Sequence, residues 1–86
     1  MHVNEITIQG RRFDPDQDTH SACVGFELED GGSSSFFCTI QAAAETAAAQ
    51  IDVILVREAR RQALRMPEIR SGRDSLFFHA ADNAFV

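Results

Sequence analysis

Two-residue alternation dominates the first forty positions. In residues 3–9, Ile6 and Ile8 fall on one face of an extended chain and Glu5 and Thr7 on the other. That is the pattern of a half-buried strand. Gly10 predicts a bulge or bend, after which Phe13 is expected to return to the core. Asp14-Pro15-Asp16-Gln17-Asp18 is turn chemistry. Alternation resumes over residues 21–29, with Ala22, Val24, Phe26 and Leu28 on one face and Cys23, Gly25, Glu27 and Glu29 on the other. Asp30-Gly31-Gly32 is a turn, and residues 33–40 return as a third strand.

The register of this second hairpin is constrained by which pairs share a face. A two-residue Asp30-Gly31 turn sets Cys23 opposite Cys38 but pairs Phe26 with Ser35 and Leu28 with Ser33. A three-residue loop at 30–32 pairs Phe26 with Phe36, Val24 with Cys38 and Ala22 with Ile40. Only the second gathers the apolar side chains on one face, because a one-residue slip inverts the pairing. It needs a left-handed residue, which Gly31 or Gly32 supplies. It also puts Cys23 and Cys38 on opposite faces, which argues against a disulfide between them.

The period then changes. Residues 41–66 contain no Gly, Pro or Asn, and alanine and arginine, both strong helix formers, dominate the two ends. One helix over about 41–65 is predicted, with Glu45 in its first turn and Arg57, Arg60, Arg61 and Arg65 toward its end, as the helix dipole favours. Pro67 stops it. The competing reading makes the β-branched run Ile51–Arg57 a strand. A short fourth strand is expected within Ser75–His79. Together these elements predict one α+β domain over residues 1–86. It is an antiparallel three-stranded meander against one long helix, in the order β-β-β-α, with a fourth C-terminal strand as an optional addition.

Charge sharpens this picture. The net charge is −5. Residues 1–56 hold nine acids against only Arg11 and Arg12, and residues 57–86 hold four acids against six arginines. An acidic chain disfavours nucleic acid and anionic membrane. Only the stripe of Arg57, Arg61 and Arg65, stacked at four-residue spacing, offers an anion contact, and no aromatic residue interleaves with it. Membrane association is not expected, since no run approaches the ~18 apolar residues of a span. The N-terminal residues lack the pattern of an export signal, so a cytoplasmic location with both cysteines reduced is expected.

Candidate chemistry is sparse. Asp14, Asp16 and Asp18 have the spacing that opens a calcium loop, but Thr19 stands where that loop needs Gly and Gly25 where it needs Glu. His20, Cys23, Cys38 and His79 are four zinc-ligand types, yet the hairpin register separates the cysteines. Cys23 with His20 lacks an orienting third group for nucleophilic catalysis. Gly31-Gly32-Ser33 is not followed by the Gly-Lys of a phosphate loop. No cofactor, metal or catalytic residue is assigned.

What remains is surplus apolar surface. Phe36-Phe37 and Phe77-Phe78 each put one ring on the face away from the helix. The run Ile51–Val56 is apolar nearly all round, and a helix of about 24 residues, roughly 36 Å long, would overhang its sheet. Asp52 has no basic residue one helical turn away, so a second chain is one source of a partner. The expected function is a non-enzymatic, self-associating interaction or structural module. Its homodimer or higher oligomer would be built on Phe37, Asp52, Val53, Val56 and Phe77. The alternatives are a nucleic-acid accessory protein acting through the arginine stripe, or a ligand-binding or enzyme subunit whose pocket forms between chains near His79 or Cys23.

Overall fold

The computed structural model describes residues 2–72 and 75–78. Three long strands, β1 (His2–Asp14), β2 (Thr19–Leu28) and β3 (Ser33–Gln41), form an antiparallel meander followed by helix α1 (Ala48–Ala63). A single-turn helix α2 (Pro67–Arg70) and a two-residue strand β4 (Phe77–Phe78) follow. The sheet order is β3-β2-β1-β4, with β4 parallel to β1. The architecture is therefore the α+β arrangement read from the sequence, and Ile51–Arg57 is helical. The rest of the tail, with His79, lies outside the described residues.

Strand β1 keeps its face by breaking its alternation twice. Val3 pairs with Leu28 but Glu5 with Glu27, so Asn4 is one residue in excess. Gln9 pairs with Cys23 and Arg12 with Ser21, so Gly10 and Arg11 together oppose Ala22. Gly10 has φ +66°, the left-handed conformation that opens a glycine bulge. Each extra residue inverts the phase. Val3, which strict alternation assigns to the face of Glu5 and Thr7, is buried with the core. Phe13 lands beside His20 on the helix side, but at the open end of the sheet and 36% exposed, so it does not re-enter the core.

The second hairpin has the expected three-residue loop, placed one residue earlier. Leu28 N–H donates to the Gly32 carbonyl at 2.8 Å and Gly31 N–H to the Leu28 carbonyl at 3.1 Å. Residues 29–31 are thus the loop, with Gly31 at φ +90°. The Asp30 carboxylate accepts from Gly32 N–H at 2.9 Å and holds this position. The pairs become Phe26 with Ser34, Val24 with Phe36, Ala22 with Cys38 and His20 with Ile40, instead of the pairs of the 30–32 loop. The change is two residues in register, so the faces stand. Phe26 and Phe36 still meet, diagonally, with centroids 5.3 Å apart. Cys23 and Cys38 are free and on opposite faces.

The helix is shorter than its alanine content suggests. Ala42 N–H donates to the Asp18 carbonyl at 2.9 Å, which extends the sheet ladder one step past β3. Thr46 N–H closes a turn onto Ala43, and α1 enters at an extended Ala47 with no side-chain cap and no acid in its first turn. Propensity is a weak preference that tertiary bonds override. Sixteen residues span about 24 Å, less than the roughly 30 Å of β3, so the predicted overhang does not exist.

Ile51, Leu55, Val56, Ala59 and Ala63 of α1 are buried against Ala22, Val24, Phe26, Cys38 and Ile40. The helix lies over β3 and β2, which leaves Ile6 and Ile8 of β1 half-buried at the margin of this core. Pro67 ends the α1 segment as expected and opens α2 at its first turn.

Candidate functional site

The glycine bulge turns Arg11 toward α1. Its Nε and Nη2 donate to the Asp52 carboxylate at 3.2, 2.9 and 3.0 Å. This two-toothed pairing ties β1 to the helix across 41 positions of sequence. Asp52 was expected to need an arginine from elsewhere, and the same chain supplies it. Beside this pair, the Phe13 and His20 rings pack at 4.6 Å with a 43° tilt. The His20 Nε2 lies 3.3 Å from the Ala43 carbonyl. A carbonyl only accepts, so Nε2 carries the hydrogen and Nδ1 is left for another contact.

Between these residues and α1 run two adjoining recesses of about 210 and 180 Å³ that share Arg11, His20 and Ile51. The first also has Arg12, Phe13, Ser21 and Leu55 on its walls, and the second Thr46, Ala48 and Asp52. The only two basic residues of the first 56 thus stand at one depression, a grouping that no local sequence motif announces.

The free edge of β3 is the second feature. The Leu28–Gly32 and Asp18–Ala42 bonds show that even-numbered residues of this strand bond to β2. Residues 33, 35, 37, 39 and 41 therefore direct their backbone groups to the other edge, where no described strand pairs. There the Gln62 amide donates to the Phe37 carbonyl at 3.0 Å. On the outer face Phe37 is 69% exposed, among Cys23, Gly25, Ser35 and Thr39 on β2 and β3.

The residues predicted for one interface are scattered. Phe37 sits on β3 and Phe77 on β4, at opposite edges of the sheet. Phe77 is 52% exposed and stacks on His2 at 4.9 Å. Val56 is fully buried in the chain's own core and offers no surface; Val53 is half-buried. Of the arginine stripe, Arg57, Arg61 and Arg65 are all exposed, but Arg65 lies past the end of α1. Arg61 Nε donates to Glu58 at 2.9 Å. That bond holds the Glu58 carboxyl below its usual range, so part of the stripe's charge is spent internally.

Cys38 is buried, and desolvation, with smaller contributions from Glu58 and Cys23, pushes its thiol up to about 11. It is a packing thiol, inert as a nucleophile at neutral pH. The acidic turn is organised by the backbone. Asp14 accepts from Asp16 N–H at 2.9 Å and Asp18 takes φ +52°. Among the described residues no three His, Cys, Asp or Glu side chains converge on a metal position, and no helix is long and apolar enough to cross a membrane. No family model matches the chain, and neither a curated protein nor a solved structure matches it.

Proposed function

We propose that this chain is a non-enzymatic interaction module that self-associates edge to edge through β3. The observation that carries the proposal is the strand itself. Its nine residues, Ser33–Gln41, contain no charge and no proline, and its odd-numbered backbone groups face an edge without a described partner strand. Edge strands that stay monomeric normally carry a lysine, a proline or a bulge to prevent pairing. β3 has none of these, and the Gln62 amide occupies one carbonyl of the row.

A second copy suits this edge because the strand is compatible with its own reverse. Antiparallel pairing about a two-fold axis at Phe37 sets ring against ring, and Ser35 against Thr39, with no like charges opposed. In an acidic chain, an uncharged strand is the segment on which two copies repel least. Val56 and Phe77 drop out of this interface. The two free cysteines suit a reducing compartment such as the cytoplasm.

Light scattering coupled to size-exclusion chromatography tests the proposal from low to high micromolar concentration. Twice the chain mass is expected, with Thr39→Lys reduced to a monomer of unchanged fold. A monomer throughout that range, or a dimer indifferent to Thr39→Lys, would defeat it.

A further inference from the structure

The β3 edge carries its own restraint. Resting on the edge-to-edge reading above, we propose that Gln62 of α1 is a latch on this edge. Its side-chain amide holds the Phe37 carbonyl in the single chain and must let go before a second copy pairs there. Three observations lead to this.

First, the latch sits on the central rung. The odd-numbered residues of β3 turn their backbone groups to the free edge. In a two-fold pairing about Phe37, each Phe37 carbonyl accepts from the Phe37 N–H of the other copy. In the chain alone that carbonyl accepts from Gln62 Nε2 at 3.0 Å. The contact that protects the single chain and the contact that starts the pairing therefore use the same oxygen.

Second, the glutamine is aimed. A backbone carbonyl only accepts, so the NH2 end of the side chain faces the strand. The same nitrogen lies 3.9 Å from Cys38 Sγ, a weaker acceptor. One helical turn back stands Glu58, whose carboxylate accepts from Arg61 Nε at 2.9 Å. The Glu58 carboxyl is held low first by Arg61 and, to a smaller degree, by the Gln62 amide. Strand carbonyl and helix carboxylate together set this side chain over the edge.

Third, the latch opens without disturbing the core. Gln62 is half-buried in the last turn of α1. One rotamer change frees the carbonyl while Ala59 and Ala63 stay buried. β3 lacks the charge or proline that usually keeps an edge single. A neutral, removable hydrogen bond takes that place. It favours the closed chain by roughly fivefold, and a dimer gives up two of them, so the latch weakens association by about 25-fold.

Dimer dissociation constants of the full chain, measured by analytical ultracentrifugation, test this. Gln62→Ala removes the side chain, and Gln62→Met keeps its length without a donor. Both should dimerise about 25-fold more tightly than the wild-type chain, with urea unfolding at monomeric concentration little changed. Removing a residue that merely supports the fold would loosen the dimer instead. Adding Thr39→Lys to Gln62→Ala should abolish the gain. If the wild-type dimer forms and is lost in Thr39→Lys, but neither Gln62 variant tightens it, the latch is overturned and the edge reading stands. A gain that survives Thr39→Lys, or a Gln62→Met chain that behaves as wild type, overturns the latch as well. If no variant associates up to high micromolar concentration, Gln62→Ala included, the edge reading falls and the latch with it.

Discussion

Replacing Phe26 by Ala removes a ring with no exposed surface from the centre of the sheet. Such truncations cost about 3–5 kcal/mol. Of this, about 0.5–1.5 kcal/mol is the aromatic pair with Phe36, whose centroids lie 5.3 Å apart at 56°. A chain of 86 residues has a total stability of only about 4–13 kcal/mol at typical per-residue values. The variant should therefore be unfolded or close to it. Urea unfolding followed by circular dichroism measures the loss; with a slope near ~1.5 kcal/mol per molar, the midpoint should fall by about 2–3 M. Phe37→Ala is the control. Its ring is mostly exposed, so truncation should move chain stability by less than about 0.5 kcal/mol. All variants are compared at a concentration low enough for the chain to be monomeric by light scattering, because Phe37 lies at the proposed edge contact and association adds stability. A double-mutant cycle then tests the register. Phe26 and Phe36, diagonal neighbours on the helix side, should couple by about 1 kcal/mol, and Phe26 with Phe37 by nearly zero. A Phe26→Ala midpoint no lower than that of Phe37→Ala, or coupling to Phe37 in place of Phe36, would refute the face assignment.

Three further outcomes are expected. The Cys38 thiol ionises near 9.0 when unfolded but near about 11 when folded, so its contribution is whole below pH 9 and is lost as pH rises through that window. The drop, at most about 2–3 kcal/mol, should vanish from alkaline unfolding curves in Cys38→Ala, and thiol titration of the native chain should label Cys23 alone. Gly10→Ala meets no neighbouring atom but must adopt a positive φ, so it should cost about 1–2 kcal/mol, read from thermal unfolding, while Gly10→Asn should cost less. Because the Arg11 side chain is 55% exposed, a cycle of Arg11→Gln and Asp52→Asn should return a coupling of only about 0.2–1 kcal/mol, which shrinks as salt is raised.

The meander was legible because face assignment depends only on odd or even position. Phe26, Val24 and Ala22 were read onto the helix side, and they remain there although the hairpin register differs by two. The loop position was not legible, because Gly31 and Gly32 serve a left-handed turn equally well. The Asp30 carboxylate and the Leu28 backbone decide it. The bulge at Asn4 left no mark in the pattern, since Val3 beside Asn4 reads like any strand start. The alanine run at 42–47 misled because its helix preference, a few tenths of a kcal/mol per residue, is outweighed by the sheet bond Ala42 gives to Asp18. Of the recess, one clue was present: Asp52 lacked a partner one turn away on its own helix. Nothing local connects it to Arg11, which reaches it only after the meander has folded and the bulge has turned the strand.

The two excess residues of β1 have a consequence for chain length. Asn4 and Gly10–Arg11 each set one residue more on β1 than on β2. Deleting Asn4 makes Val3 and Glu5 neighbours opposite Leu28 and Glu27, and deleting Gly10 sets Arg11 alone opposite Ala22. Either deletion restores a regular ladder without moving any side chain across the sheet. At most other positions of β1 the loss of one residue turns everything beyond it inside out. The strand thus contains two places where an amino acid can be removed while every apolar residue stays on the helix side. What changes at those places is the local bend and twist of the ribbon.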